Sequence, residues 1–355
     1  MGKIKNRIIS LAAACLFAVG LLPSAVSADD EPILFVNGKD IIAAENNTVQ
    51  CGTGKAVYDA ATHTLTLDNA QITEHTKDGD MPTTGRGAIY AMYTPLNIVL
   101  VGDNSIDIDG DNYQYAYGIY VWEQDLTISS ENKGSLTIAS NNRTIEAQGK
   151  VTIDNVSLDL TAVKADCDGM GGESFEIKSS DIKLRSDGWG IYSENDFNVS
   201  DSKFDIQSPL NNIMVDEGKL TASNTKFYVK NTVGGCAIYA GKDITIENGS
   251  YVEAESEPDC AIFTPGNIKL DNSEFHLKGW YPGIMSSGDM EIKDSKVESK
   301  STDDIGIWSR SNLTIIGNSE VKSNGIGAAG EFAIEPAVMQ RCQQTEINRW
   351  PRQES

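Results

Sequence analysis

Ala237-Ile238-Tyr239-Ala240-Gly241-Lys242-Asp243-Ile244-Thr245-Ile246-Glu247-Asn248 holds two short apolar–polar alternations separated by a turn. Strict alternation buries one face of a strand and leaves the other wet, so each alternation reads as a half-buried β-strand. Neither is long enough to build a core alone. The decisive feature is that the stretch recurs.

Its first element, small residue–Ile–aromatic, returns as Ala88-Ile89-Tyr90, Gly118-Ile119-Tyr120, Gly190-Ile191-Tyr192, Ala261-Ile262-Phe263 and Gly306-Ile307-Trp308. Weaker copies stand at Thr144-Ile145, Asn212-Ile213-Met214 and Gly283-Ile284-Met285. From Ile89 to Ile307 the isoleucines advance by 30, 26, 46, 22, 25, 24, 22 and 23 residues, the long step being two periods with a degenerate copy around Cys167 to Gly172. The second element runs in phase, as in Leu126-Thr127-Ile128, Val151-Thr152-Ile153, Phe197-Asn198-Val199 and Leu313-Thr314-Ile315. A third follows, as in Leu136-Thr137-Ile138, Ile182-Lys183-Leu184, Phe204-Asp205-Ile206 and Phe275-His276-Leu277. Three strands per period of about 23 residues predict an all-β fold, a right-handed parallel β-helix of about eleven coils. At ~4.8 Å per coil it would be a rod on the order of 50 Å long.

Turn residues keep the same phase. Asn155, Ser179, Asp201, Asn224, Asn248, Asn272 and Asp294 each follow the second strand. Such residues tolerate left-handed backbone, and stacked at one coil spacing they are expected to form a ladder of side-chain hydrogen bonds. Asp125, Asp196, Asp243, Asn267, Asp289 and Asn312 mark the corner before that strand.

The ends depart from the repeat. Lys3, Lys5 and Arg7, an apolar run from Ile8 to Leu22, and Val26 and Ala28 at a cleavage site predict a secretory signal over residues 1–28. Residues 29–75 read as a small N-terminal β cap that opens with a hairpin at Asn37-Gly38. The solenoid is expected over 76–336. An atypical tail follows over 337–355, where Arg341, Arg349 and Arg352 cluster. A stack ending there without a cap is expected to self-associate through its last coil.

Composition excludes some partners. The formal charge is −22, and the predicted leader holds three positive charges and no negative one. So acidic a chain repels nucleic acid and anionic lipid. Nothing beyond the leader is apolar enough to span a bilayer, so no membrane insertion is expected and the mature protein is placed outside the cell or on its surface. Five cysteines remain after cleavage, with no CxxC or Cys/His metal spacing.

These motifs give the chain a family resemblance. It resembles secreted repeat proteins of gut Firmicutes whose modules open like Tyr58-Asp59-Ala60-Ala61-Thr62-His63-Thr64-Leu65-Thr66-Leu67-Asp68-Asn69-Ala70 and continue into repeats like Tyr117-Gly118-Ile119-Tyr120 and Asp125-Leu126-Thr127-Ile128. The likeness covers roughly residues 31 to 336. It implies a pectin-lyase-like right-handed β-helix and a carbohydrate-binding or cell-surface role, and it carries over no catalytic residues.

If the repeated isoleucines point inward, the next residue points out. That parity puts Tyr90, Tyr120, Tyr192, Tyr239, Phe263 and Trp308 on one exterior face with Trp122 beside them, a surface able to stack on sugar rings. The competing reading makes the rings architectural filler. Polysaccharide or a host or cell-surface glycan is the expected partner, a purely structural spacer the alternative, and a polysaccharide-active enzyme third. Asp107, Asp109 and Asp111, or Asp166 and Asp168, offer carboxylates, but in turns where Asp is common. His63, His75 and His276 have no evident partner in sequence. No cofactor or metal is expected, beyond weak Ca2+ at Asp107, Asp109 and Asp111. Cys236 and Cys260 each precede an aligned isoleucine by two residues, so they should occupy one site on adjacent coils, as a disulfide or as stacked thiols.

Overall fold

The computed structural model describes residues 31–77, 85–108, 116–162, 164, 167–335, 338 and 343–344. They form an all-β parallel solenoid, and helix is almost absent among them. The predicted signal, most of the tail and Cys342 lie outside the described residues.

The repeated isoleucines stack directly on one another. Parallel pairing puts Ile89 beside Ile119 and Ile119 beside Ile145. The register continues through Ile191, Ile213, Ile238, Ile262, Ile284, Ile307 and Ile326. All of these are buried. Met170 fills the gap in the long step, pairing with Ile145 on one side and Ile191 on the other. The degenerate period is thus a full turn whose isoleucine has become methionine and whose aromatic has become Gly171.

The second motif stacks in the same way, from Leu126 through Val151, Phe175, Phe197, Leu220, Ile244, Ile268 and Met290 to Leu313, within the same 25-stranded sheet. The third forms a separate 12-stranded sheet in which Leu136, Leu158, Ile182, Phe204, Phe227, Val252 and Phe275 align. Inward rings fill the space between sheets, and Phe204 lies flat against Phe227 with centroids 5.1 Å apart. Burying each such side chain is worth roughly 1.5–3 kcal/mol, and only a neighbouring turn can supply the cover.

The corner after the second motif needs left-handed backbone, which costs a residue with a Cβ unless its side chain bonds locally. Asn155, Ser179, Asp201, Asn224, Asn248, Asn272 and Asp294 all adopt it, with φ between 47° and 60°. The expected ladder of their side chains forms only in part, as from Asn224 Nδ2 to Asp201 Oδ1 (2.7 Å). Just beyond them runs a ladder of buried hydroxyls that the sequence reading missed. The backbone N–H groups of Val156, Ser180, Thr225, Ser250, Ser273 and Ser295 donate to the hydroxyls of Ser180, Ser202, Ser250, Ser273, Ser295 and Ser319 one turn on, at 3.1–3.4 Å. Each of these hydroxyls donates in turn to a carbonyl of its own corner. The linked amide–carboxylate ladder stands at the other corner, where Asp243 accepts from Asn267 and Asp289 from Asn312, both at 3.0 Å.

The strands before the stack are antiparallel. Ile33–Val36 turns through Asn37 and Gly38, both at positive φ, into Lys39–Asp40. Thr48–Cys51, Gly54–Asp59 and Thr64–Asp68 form a meander, and Thr64–Asp68 then pairs parallel with Leu96–Val101. Ile33–Val36 lies antiparallel along Arg86–Met92. At the other end Phe332–Ile334 pairs parallel with Leu313–Ile316.

Candidate functional site

The residues after the stacked isoleucines also stack, on the outer face. In register they run Tyr90, Tyr120, Glu146, Gly171, Tyr192, Met214, Tyr239, Phe263, Met285, Trp308 and Gly327. The aromatic face is therefore continuous in register but not in chemistry, and its parts differ.

Tyr90 and Tyr120 depart from the exterior reading: they are 0% and 5% exposed. Strand parity put them on the outer face, but Ile33–Val36 pairs alongside and brings Phe35 opposite Tyr90. Tyr117 stacks on Tyr120 at 4.5 Å, Trp122 meets its edge at 6.0 Å, and Gly85 lies against its ring. With Met92 these side chains make a second apolar cluster outside the main core, to which half-buried Trp122 belongs.

Between Tyr120 and Tyr192 the ladder changes to charge. Arg143 bonds Glu146 at 2.6 Å and grips Asp168 Oδ2 through Nε and Nη2 at 3.0 and 2.6 Å. Gly171 leaves room for this group, since a Cβ there would collide with Glu146 and Arg143. Burial raises the Glu146 carboxyl above its ordinary value against the pull of Arg143. Burial opposes the Arg143 charge too, but the two carboxylates outweigh it.

From Tyr192 on, the face is open. Tyr192, Tyr239, Phe263 and Trp308 are all half-exposed. Trp189 stacks on Tyr192 at 5.3 Å, and the Tyr192 hydroxyl donates to Asp216 (3.1 Å). Tyr239 and Phe263 stand 5.9 Å apart, tilted by 52°.

The open half ends in a cavity of about 460 Å3. Trp308, Met285, Tyr281, Pro282 and Ile305 give it apolar walls, and Asp259, Asp304, Arg310 and Cys260 give it polar ones. Gly327, next in register after Trp308, packs against the indole, where a Cβ would fall within 2.7 Å. Tyr281 and its neighbour Trp280 are 51% and 45% exposed. Both escaped the sequence reading because they sit in a turn, outside the periodic strands. Their signal was the run Gly279-Trp280-Tyr281-Pro282-Gly283, two adjacent aromatics between periodic strands.

A larger groove, about 500 Å3, lies on the outer face of the 12-stranded sheet. Its chemistry is different: Lys278 pairs with Glu255 at 2.7 Å, and Lys300 with Glu298 at 2.9 Å. His276, expected to face water without a partner, is half-exposed and bonds Glu274 at 2.9 Å. His63 bonds the Thr94 hydroxyl at 2.9 Å. Matched salt bridges cross this wall, and a short run of rings lies along the same face, Tyr228 beside Tyr251 at 5.6 Å and Tyr251 beside His276 at 5.5 Å.

Of the acidic candidates, Asp107 is exposed on the strand Asp103–Ile108, while Asp109, Asp111 and Asp166 lie outside the described residues. Cys51, Cys236 and Cys260 are buried thiols, and Cys167 is buried with its Sγ on the Asn141 carbonyl at 3.5 Å. Cys236 and Cys260 sit on adjacent turns as thiols, and the neighbouring Cys260 thiol together with burial pushes the Cys236 thiol up. Burial alone pushes Cys51 up to about 11.

The model of a family described as carbohydrate-binding domain-containing protein matches residues 48–324. The chain belongs to that family. No curated protein and no solved structure matches it. In this carbohydrate-binding domain the matched span includes both the open ladder and its terminal cavity, and among the described residues no helix is long and apolar enough to cross a membrane.

Proposed function

We propose that the protein is a secreted, surface-acting solenoid that holds a polysaccharide or cell-surface glycan along the open half of its ladder. The cavity bounded by Tyr281, Met285 and Trp308 seats one residue of the chain. The observation that carries this reading is that cavity, whose lining joins the aromatic Tyr281 and Trp308 to the charged Asp259, Asp304 and Arg310. Sugar rings present apolar C–H faces and hydroxyl edges, so a site for them joins aromatic platforms to a few charged hydrogen-bonding groups. Tyr239 and Phe263 extend the platform toward Tyr192. The buried pair Tyr90 and Tyr120 favours an architectural role for the first part of the ladder, which narrows the binding face and leaves the spacer reading to that end alone.

We also read the solenoid as right-handed, with three strands per coil and eleven coils. Three strands per coil is supported by each motif series pairing with its own kind from turn to turn, eleven coils by the stacked series from Ile89 to Ile326, and the hand by the right-handed rule for parallel crossovers. A crystal structure tests it. Secretion is tested by the N-terminal residue of protein recovered from medium, expected just after Ala28.

The binding test is a screen of the full chain on a glycan array, followed by calorimetry with the best ligand. Trp308→Ala and Tyr281→Ala should each weaken binding at least ~10-fold, about 1.4 kcal/mol. Their circular dichroism should match the parent. Unchanged affinity in both variants removes the cavity from the proposal, and a chain that captures no glycan removes the proposal itself.

A further inference from the structure

Next to this cavity the structure assigns a metal site: we propose that Cys236 Sγ, Cys260 Sγ and one Asp259 carboxylate oxygen bind a thiophilic divalent cation of the Zn2+ class. The inference stands on side-chain geometry and does not depend on the glycan reading.

The solenoid itself brings the three ligands together. Ile238 and Ile262 are partners in register, and each cysteine lies two residues before one of them. The Ala237 N–H donates to the Cys260 carbonyl at 3.3 Å, which locks the two corners one above the other. Both thiols are therefore held one turn apart and buried, with their sulfurs within 4.8 Å of each other. Asp259 is fixed from three directions. Its N–H donates to the Ser256 hydroxyl (3.0 Å), its carbonyl accepts from Trp280 N–H (2.9 Å), and its Oδ1 accepts from Cys260 N–H (2.8 Å). The other carboxylate oxygen has no such bond to hold it back. The three ligand atoms lie within 4.8 Å of one another.

Around tetrahedral Zn2+ the same atoms would stand roughly 3.5–3.8 Å apart, from bonds of about 2.3 Å to sulfur and 2.0 Å to oxygen. Side-chain shifts of up to roughly an ångström close the difference. Two soft sulfurs select Zn2+, Co2+ or Cu+ over Ca2+ and Mg2+. Binding releases both thiol protons to solvent, and two thiolates with one carboxylate leave the Zn2+ site at −1. Asp259 and Cys260 also line the cavity, so the fourth coordination position opens toward it and takes water. Three protein ligands and one open position is the arrangement of an accessible zinc centre rather than a closed structural one.

The two sulfurs have one alternative fate, a disulfide, and the experiment separates the outcomes. The full chain, kept reduced, is titrated with CoCl2 alone. One Co2+ per chain should bind, with a thiolate-to-cobalt charge-transfer band that an equivalent of Zn2+ erases. Cys236→Ala and Cys260→Ala, which keep the buried positions apolar, should abolish the band. Asp259→Asn should weaken Co2+ at least ~10-fold, and Cys51→Ala should leave the band intact. Three results overturn the proposal: no band in the parent, a band that persists in Cys236→Ala, or a Cys236–Cys260 disulfide in protein collected from growth medium. Because glycan is absent throughout, failure here leaves the carbohydrate site untouched.

Discussion

A hydroxyl buried at a solenoid corner satisfies two backbone groups at once, so its removal strands both. Ser250 accepts from the Thr225 N–H at 3.1 Å and donates to the Glu247 carbonyl at 2.7 Å. Ser250→Ala should therefore cost about 1–3 kcal/mol, the penalty of buried polar groups left without partners. The midpoint of urea unfolding reads it. Charge at the surface behaves differently. Glu176 is bonded by Lys150 and Lys178, which lower its carboxyl from 4.5 to about 2. A depressed folded value means this contribution is complete above pH 4.5, the unfolded value, and is lost as pH falls toward 2. The difference in urea midpoint between parent and Glu176→Gln should hold from pH 7 to about 4.5 and shrink steadily below it. The left-handed corner residues could be read from sequence because Asn, Asp and Ser declare themselves at φ near 50°. The hydroxyl ladder was not legible, because a serine beside an asparagine looks like ordinary turn polarity until the neighbouring turn lies against it.

At the scale of one strand, stacking decides stability. Phe227 lies between Phe204 and Val252 in register, its ring flat on Phe204. Neither neighbour can collapse into a vacated ring without breaking its own pairing, so Phe227→Ala should cost about 3–5 kcal/mol. Guanidinium or thermal melting measures the loss. Strand membership and inward parity could be read from sequence at nearly every turn, since burial follows the two-residue period. Cover on the outside could not. Alternation says that Tyr90 and Tyr192 share a face, but not that Ile33–Val36 will lie beside one of them and leave the other in water. That pairing joins residues more than fifty positions apart, and no periodic signal marks it. Trp280 and Tyr281 were missed for the complementary reason: turns lie between the periods, and the reading followed the periods.

For the molecule as a whole, each turn leans only on its neighbours, and an end differs from the middle. Phe332, on the parallel strand Phe332–Ile334, is 40% exposed. An apolar edge of this kind invites pairing between chains, against which the net charge of −22 works. Self-association should therefore increase with salt, as screening removes the repulsion. Sedimentation velocity should show the growing species, and Phe332→Lys should return them to monomer. A salt-independent monomer would mean that the last turn is covered.

The hydroxyl ladder also sets what changes of length the protein can accept. The rungs from Val156 to Ser202 and from Thr225 to Ser319 all hand their hydrogen bond in one direction, from the N–H of one turn to the serine of the next. Excision of 180–201 would place Ser202 under the Val156 N–H that Ser180 now serves, and the column would close without a fault. Shorter cuts leave a rung facing nothing. A change of length that preserves this column therefore removes one full circuit at a time.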